Sequence, residues 1–171
     1  RTYHVWLPTS PASAQAPVAI ILHGRGGTGQ MGGQIGGEWP ELKRTHIVVG
    51  PDGPDRQWNV KGEYDGPAPP APDDATYVGK TLIDHLATYS NVDATSVKLV
   101  GFSNGAALSN RINIENDDPR ITHILTDGSQ LNTYQYRGGA FYVGGASNQY
   151  ASTKVSLTPR KVLQVVCLLY T

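Results

Sequence analysis

Five residues of the sequence, Gly101 to Gly105 (GFSNG), have the types and spacing of a serine nucleophile held in a tight turn. The apolar run VKLV precedes them and a run of small, helix-like residues follows, so the turn joins a strand to a helix. Glycine on both flanks of Ser103 avoids the collisions that larger side chains would cause in such a strained turn. The N-terminus of the following helix favours negative charge near the hydroxyl. This pattern predicts a nucleophile at Ser103, with an ordinary turn serine as the alternative.

A second glycine-rich stretch, LHGRGGTGQ at residues 22–30, can be interpreted in two ways. Gly24, Gly26 and Gly29 have the G-x-G-x-x-G spacing of a dinucleotide-binding turn, and Asp52 lies near the distance expected for a ribose-binding acid. The stretch also begins with His-Gly after a strand, as do loops that stabilise an oxyanion.

The residues that follow this stretch favour the oxyanion loop. A dinucleotide turn leads directly into a helix whose N-terminus receives the pyrophosphate. The sequel QMGGQIGGEWPELK, with four further glycines and Pro40, predicts a poor helix. The nucleotide interpretation also leaves the turn at Ser103 unexplained. In the oxyanion interpretation both motifs form one site, in which the backbone N–H groups of Asn104 and Arg25 bind the negative oxygen.

The composition is that of one globular domain, residues 1–171. Hydrophobic residues make up 39% of the chain and charged residues 16%, which excludes a disordered protein. The 14 Lys and Arg balance the 14 Asp and Glu, so no nucleic acid or anionic membrane is expected as a partner. The longest apolar stretch, VLQVVCLLY, is far shorter than the roughly 20 residues of a membrane-spanning helix. Cys167 is the only cysteine, so no disulfide can form within the chain.

Short apolar runs alternate along the chain with helix-like segments. The runs are rich in Val, Ile and Leu without strict alternation, which is typical of strands covered on both faces. Residues 73–90 and 104–115 predict helices. The alternation predicts an α/β fold, with a mostly parallel sheet flanked by helices. The predicted strands are 3–7, 18–22, 46–50, 97–101, 122–126 and 161–169.

Two stretches predict loops. Residues 51–74 are crowded with Pro, Gly and Asp, so we expect them on the surface. Residues 128–154 combine glycines with five aromatic residues. They predict a solvated loop or a short hairpin, or alternatively a flap that contacts a substrate.

Together these segments resemble the polyhydroxybutyrate depolymerase and feruloyl or acetylxylan esterase branch of the α/β-hydrolases. The resemblance is carried by RTYHVWLP, ILHGRGG, VVGPDG with QWNV, the block from Asp73 to Ile112, and HILTDGSQ, and it covers most of residues 1–130. It implies hydrolysis of a small-molecule or polymer-linked carboxylic ester, through an acyl-enzyme on Ser103 and without a cofactor. It also implies a secreted protein, although no signal peptide is visible and the localisation is left open.

The resemblance further implies roles for single residues. Arg25 and Asn104 correspond to the oxyanion donors. Trp58 is similar to a Trp-Asn segment near the acyl pocket and is a candidate substrate-binding residue, with a partly buried loop aromatic as the alternative. His23 has the position of a histidine that supports the loop, and we include it as a second candidate for substrate contact. A role for His23 as the base is disfavoured.

The acid and the base of the resembling family have no counterpart at the expected positions. A serine nucleophile needs a histidine base and an orienting acid, in the chain order Ser, Asp or Glu, His. No histidine follows His123, and Tyr170 or a near neighbour stands where the acid is expected. Asp127 is the candidate acid, with a turn-capping carboxylate as the alternative. His123 is a poor base, because four strand residues, about 13 Å, separate it from Asp127.

The remaining histidines predict no chemistry. His85 borders the apolar stripe of its helix and is expected to be packed or half-exposed, and no role is assigned to His4 or His46. Five scattered histidines and one cysteine show no metal-ligand spacing, so no metal is expected.

The chain stops at the predicted strand 161–169, so we expect the last strand and helix of the fold to be missing. A fragment, a frameshift and completion by a second chain are the three explanations. A bare sheet edge invites pairing with another copy, so a homo-oligomer is expected. If these 171 residues are the whole molecule, we expect weak or absent turnover. Two alternatives remain, a non-catalytic ester- or carbohydrate-binding module of the same fold and a dinucleotide-binding domain that uses Gly24 to Gly29.

Overall fold

The computed structural model describes residues 1–11, 13–60, 73–145 and 149–165. Six strands form one sheet in the order β1-β3-β2-β4-β5-β9, and β6, β7 and β8 form a small antiparallel sheet. In the large sheet only β1 runs antiparallel to its neighbour. The strands are β1 (Tyr3–Trp6), β2 (Ala16–Leu22), β3 (Ile47–Pro51), β4 (Val92–Phe102), β5 (Ile121–Asp127), β6 (Tyr136–Arg137), β7 (Ala140–Val143), β8 (Ser152–Lys154) and β9 (Lys161–Val165).

Helices cover both faces of the large sheet. One face packs against two helical segments. The first begins with α3, continues through a π-helical stretch at Tyr77–Thr81 and ends with α4, and the second is α5. The other face packs against α1 and α2. The predicted α/β class with a mostly parallel sheet is therefore confirmed. The helices are α1 (Met31–Glu38), α2 (Pro40–Thr45), α3 (Asp74–Thr76), α4 (Leu82–Leu86) and α5 (Asn104–Glu115).

Strand β2 is a central strand of the large sheet and contributes to the hydrophobic clusters on both of its faces. Val18, Ile20 and Leu22 point into the cluster beneath α4 and α5, while Ala19 and Ile21 point into the cluster beneath α1. Every one of these side chains is buried. A strand with both faces covered needs apolar residues at consecutive positions, which explains why its sequence shows no alternation.

The prediction of a poor helix after the glycine-rich stretch is wrong, because α1 and α2 form there. A Cβ atom added to Gly32 or Gly33 would lie 2.7 Å from the ring of Trp6. Glycine costs helix propensity, but here it lets α1 lie directly against the indole of β1. Packing thus outweighs the local preference.

The stretch at 128–154 contains more structure than the predicted loop or short hairpin. Its described part forms the three strands β6, β7 and β8, and Gly138 and Gly139, both with positive φ, make the turn between the first two. In the predicted loop 51–74, Pro51 ends β3, a turn of 3-10 helix forms at Pro54–Arg56, and Asp74 begins α3. Residues 61–72 of this loop lie outside the described residues.

Within the part of the chain that the structure describes, strand β9 is the last strand at one edge of the large sheet. It pairs in parallel with β5, and the side chains of Val162, Leu163 and Val165 are 50%, 58% and 44% exposed. The predicted strand ran to residue 169, and its last four residues lie outside the described part. Within the described ranges, no helix is long and apolar enough to cross a membrane.

Candidate active site

Ser103 occupies the junction between β4 and α5 in a strained backbone conformation. Its φ of 50° and ψ of −115° are unfavourable for a residue with a side chain. The Ser103 N–H donates to the carbonyl oxygen of Asp127 at 2.7 Å, and its carbonyl accepts from the N–H of Ala107 at 3.0 Å. The side chain is exposed and does not cap the helix. The hydroxyl is therefore held above the sheet and stays available for chemistry.

The two glycines that flank Ser103 are required by close packing. A Cβ atom at Gly101 would overlap the carbonyl of Gly105 and the hydroxyl of Ser109. A Cβ atom at Gly105 would overlap the carbonyl of Leu22 at the end of β2. These are the collisions that the G-x-S-x-G pattern predicts, and they bring the start of α5 onto β2.

The glycine-rich loop lies directly beside the serine. A Cβ atom at Gly24 would be 3.4 Å from Cβ of Ser103 and 4.0 Å from its hydroxyl oxygen. The loop then turns sharply, because Gly27 donates its N–H to the carbonyl of Gly24 at 3.0 Å and Gly26 has a φ of 81°. Gly26 also donates to the carbonyl of Arg56 at 2.7 Å. The structure thus brings together the two motifs that the sequence joined into one site.

This arrangement places two backbone segments around the hydroxyl. Arg25 follows Gly24 in the loop, and Asn104 follows Ser103 at the start of α5. The amide dipoles of the first turn of α5 favour negative charge at this end of the helix. The two residues predicted as oxyanion donors therefore both adjoin the contact between the loop and the turn.

Asp52 holds the far end of the same loop. One oxygen of its carboxylate accepts the N–H of Gly29 at 2.7 Å and the other accepts the hydroxyl of Thr2 at 2.8 Å. Burial opposes ionisation, but these hydrogen bonds outweigh it and lower the pKa of Asp52. Gly29 itself lies so close to Gly50 that a Cβ on either would overlap the other. The acid and the glycine that a nucleotide would use are occupied within the fold.

His23 supports the loop from beneath. It is fully buried, its Nε2 accepts the N–H of Gly53 at 3.0 Å, and its Nδ1 lies 2.7 Å from the carbonyl oxygen of Gly24. Because an N–H occupies Nε2, the proton of the neutral ring lies on Nδ1 and is donated to Gly24. Burial lowers the pKa of His23, which keeps the ring neutral. Both nitrogens are used, so the disfavoured role as a base gains no support.

Trp58 and Asn104 fasten the neighbouring segment to the turn. The indole N–H of Trp58 donates to the carbonyl of His23 at 2.9 Å, and the ring centroids of Trp58 and His23 lie 4.9 Å apart. The buried side chain of Asn104 accepts the backbone N–H of Trp58 at 2.6 Å and donates to its carbonyl at 3.3 Å. Trp58 is only 3% exposed and belongs to the core. In this structure both side chains support the loops, as the alternative for Trp58 expected, and a contact of either residue with a substrate stays a prediction.

Asp127 adjoins the turn from the other side. It is paired in register with Phe102, it is half-buried, and its carbonyl holds the N–H of Ser103. Among the described residues its carboxylate has no hydrogen bond or ion pair. Gly128 has a φ of 76°, and a Cβ atom added to it would lie 3.7 Å from the backbone nitrogen of Ser103. The candidate acid is thus close to the nucleophile but has no histidine to orient.

All five histidines of the chain lie in the described part, and none of them is bound to Ser103. His23 is used as above, and His123 lies at the far end of β5, bonded to Thr122. The ring of His4 lies beside the carboxylate of Asp52, and the ring of His46 beside the hydroxyl of Thr45. The ring of His85 lies beside the hydroxyls of Tyr3 and Tyr89. Within the described ranges, no group of three or more His, Cys, Asp or Glu side chains could hold a metal ion.

Sequence reasoning missed a buried charged network on α5. Arg111 is fully buried and donates to Glu115 at 2.8 Å, to the carbonyl of Asn59 at 3.0 Å and to the carbonyl of Gly145 at 2.5 Å. Glu115 also accepts the N–H of Gly144 at 2.7 Å. The i, i+4 spacing of Arg111 and Glu115, the two charged residues of α5, was the available signal. The network fixes the segment after Trp58 and the loop after β7 to α5.

Sequence reasoning also missed the buried Asp74, which lies next to the helix cap Asp73. The buried Asp74 accepts the N–H of Asn59 at 2.7 Å and pairs with Arg1 at 2.5 Å. Burial raises the pKa of Asp74 despite these partners. Its contact with Asn59 gives the segment after Trp58 a second anchor.

Solved structures show what this arrangement is similar to. No protein-family model and no curated protein matches the sequence. An acetyl xylan esterase from Aspergillus awamori matches with a TM-score of 0.56 at 16% identity, covering 89% of this chain and 52% of its own. The poly(3-hydroxybutyrate) depolymerase LpqC from Bordetella parapertussis matches with a TM-score of 0.57 at 18% identity, covering 83% and 52%. The protein AbyA5 matches with a TM-score of 0.51 at 19% identity, covering 76% and 35%.

At these identities the likeness establishes the fold, and the chain has the α/β-hydrolase fold. The chain spans about half the length of the esterase and the depolymerase. The turn at Ser103 joins the central strand β4 to α5, where this fold holds a nucleophile.

Proposed function

We propose that this chain is a serine carboxylic-ester hydrolase that forms an acyl-enzyme at Ser103. The observation that carries the proposal is the strained turn at Ser103, whose hydroxyl faces Gly24 of the glycine-rich loop. A strained backbone persists only where the surrounding contacts impose it, and such strain concentrates at functional sites. The ester can be a small molecule or part of a polymer, of the feruloyl, acetylxylan or polyhydroxybutyrate kind.

The chemistry divides into two steps. In acylation the Ser103 oxygen attacks the ester carbonyl carbon, the hydroxyl proton is lost, and the amides of Arg25 and Asn104 stabilise the oxyanion before the alcohol leaves. In deacylation water attacks the acyl group and releases the carboxylic acid. Both steps move a proton, and among the described residues no histidine lies beside Ser103 to accept it. In acylation the Ser103 proton then passes to solvent and the leaving alkoxide takes a proton from solvent, and in deacylation the attacking water loses its proton to solvent, so turnover should be slow.

An activated ester separates the two steps. p-Nitrophenolate leaves without needing a proton, so its release depends less on a base than deacylation does. We expect a burst of about one nitrophenolate per chain followed by slow turnover. A fluorophosphonate probe should label the same residue, and mass spectrometry of the digest should locate the label on Ser103.

The matched controls are two serine substitutions. Ser103→Ala should abolish both the burst and the labelling, whereas Ser129→Ala, which changes a half-buried serine beyond β5, should keep both. Equal labelling of the Ser103→Ala variant and the unchanged chain would refute the nucleophile.

A second candidate function is a non-catalytic module that binds an ester or a carbohydrate through the same fold. The observation that favours it is the absence of a histidine bound to Ser103 among the described residues. It predicts that a ligand such as an acetylated xylo-oligosaccharide raises the melting temperature while neither burst nor labelling occurs.

A further inference from the structure

The small sheet holds a cleft that the proposed chemistry does not use. The cleft has a volume of about 360 Å3 and is lined by Thr133, Tyr134, Arg137 and Gln149. Its lining combines a hydroxyl, an aromatic ring, a guanidinium and an amide. Arg137 is the only charged residue among these four.

The guanidinium of Arg137 is held in one position. It lies over the ring of Tyr142, 3.4 Å from the centroid, because Arg137 and Tyr142 point to the same face of the β6–β7 hairpin. Its Nη1 donates to the carbonyls of Thr133 at 3.5 Å and Tyr134 at 2.9 Å, and its Nη2 donates to the carbonyl of Tyr150 at 3.0 Å. Because these contacts already restrict the side chain of Arg137, less of its conformational entropy is lost when a ligand binds.

The charge on Arg137 is not neutralised within the described residues, where it has no carboxylate partner. Its three hydrogen bonds go to carbonyl oxygens and leave the N–H of Nε and one N–H of Nη2. A charged guanidinium N–H forms a strong, charge-assisted hydrogen bond with a carboxylate oxygen. The nearby acid Glu115 is bound to Arg111 and Gly144 instead.

We propose that this cleft binds the carboxylate of a small ring compound, with Arg137 receiving the carboxylate. The ring lies beside Tyr134, and Thr133 and Gln149 hydrogen-bond its polar substituents. A sugar acid and an aromatic acid share this chemistry. The proposal does not rest on Ser103 as a nucleophile, although Gln135 anchors the cleft to the carbonyl of Ala107 at 3.1 Å, one helical turn beyond the serine.

Binding to the full chain tests the proposal, measured by ligand-observed NMR and calorimetry. D-Glucuronate and benzoate are the two carboxylate arms, and D-glucose and benzyl alcohol are their neutral counterparts. We expect at least one carboxylate to bind at least tenfold more tightly than its neutral counterpart, and the tighter arm identifies the class of ring. Ser103→Ala should leave this binding unchanged.

Substitutions locate the site. Arg137→Gln should weaken carboxylate binding at least tenfold, while Arg44→Gln, which changes an exposed arginine of α2, should not. Because Arg137 also holds three carbonyls, Gln149→Ala provides a second test that leaves those bonds intact, and it should weaken binding about threefold. Equal binding of a carboxylate and its neutral counterpart, equal binding by the Arg137 and Arg44 variants, or no binding at about 10 mM ligand would overturn the proposal.

Discussion

The carboxyl edge of the sheet is built differently on its two sides of Ser103. Toward β2, the loop at Gly24, the turn and the segment at Trp58 are joined by buried hydrogen bonds and glycine contacts. Toward β9, the carboxylate of Asp127 has no partner among the described residues, and the strand exposes three apolar side chains. The side toward β2 is thus closely packed and hydrogen-bonded, whereas on the side toward β9 no described histidine lies beside Asp127.

The two sides are nevertheless connected through the backbone. Val165 of β9 accepts the N–H of Gly128 at 3.1 Å, and the preceding carbonyl of Asp127 accepts the N–H of Ser103. Strand β9 therefore contributes to the position of Ser103. The comparison predicts large losses from changes on the first side and small ones from changes on the second.

The largest effect is expected from Gly105→Ala. The added methyl group would overlap the carbonyl of Leu22, and neither α5 nor β2 can move without disturbing the core. We expect the free energy of unfolding to fall by about 3 kcal/mol, measured by urea denaturation.

Gly37→Ala is the control for this substitution. Gly37 lies in α1 with no atom within 4 Å of an added Cβ, so alanine should leave stability unchanged or raise it by up to about 1 kcal/mol. Equal losses in the two variants would mean that the tight contact between α5 and β2 does not exist.

The strained turn at Ser103 could be predicted from the sequence because its constraints are local. Gly101, Ser103 and Gly105 are close together in the chain, and only a few residue types fit the positions of such a strained turn. The pairing of this turn with the loop at Gly24 followed once both motifs were placed at the ends of parallel strands.

The parts that the sequence did not predict depend on contacts between distant residues. The helical conformation of α1 depends on the indole of Trp6, and the burial of Trp58 depends on hydrogen bonds with His23 and Asn104. A local pattern contains no information about such partners, so propensity made α1 a poor helix and left Trp58 undecided.

The next effect in size is expected from Asn104→Ala. Loss of the buried amide leaves the N–H and carbonyl of Trp58 without their partner, which should lower the free energy of unfolding by about 2 kcal/mol. The exposed Asn91 provides the matched substitution, and Asn91→Ala should change stability by less than about 0.5 kcal/mol. If Asn104→Ala changed the free energy of unfolding as little as Asn91→Ala, the Asn104 amide would not stabilise the Trp58 segment.

A smaller effect is expected from pH. Burial lowers the pKa of His23, and burial with the nearby Lys98 lowers the pKa of His46 to about 4, from ordinary values of 6.5. Between pH 6.5 and about 4 the unfolded chain therefore binds more protons than the folded one, so the free energy of unfolding should fall as the pH falls through this range.

Two substitutions test where this pH dependence arises. His23→Gln can keep both hydrogen bonds without titrating and should make the dependence shallower, as should His46→Gln. Burial together with Lys98 and Lys161 also lowers the pKa of His123, so His123→Gln should make the dependence shallower as well, but by less than His46→Gln, because only the pKa of His46 is lowered as far as about 4. A stability that rose on acidification would contradict the neutral, buried state of His23.

The smallest effect on stability is expected from Leu163→Lys on β9, which should change the free energy of unfolding by less than about 0.5 kcal/mol. Its effect on association should be clear, because we propose that the open edge of β9 pairs with a second copy and that the exposed side chains of this strand become buried there. Sedimentation equilibrium should show a dimer for the unchanged chain and a monomer for Leu163→Lys. Val155→Lys changes a fully exposed residue outside the strands and should still dimerise. A monomer at every concentration of the unchanged chain would show that the β9 edge needs no partner, and the weak packing on this side of Ser103 would then be a stable property of the single chain.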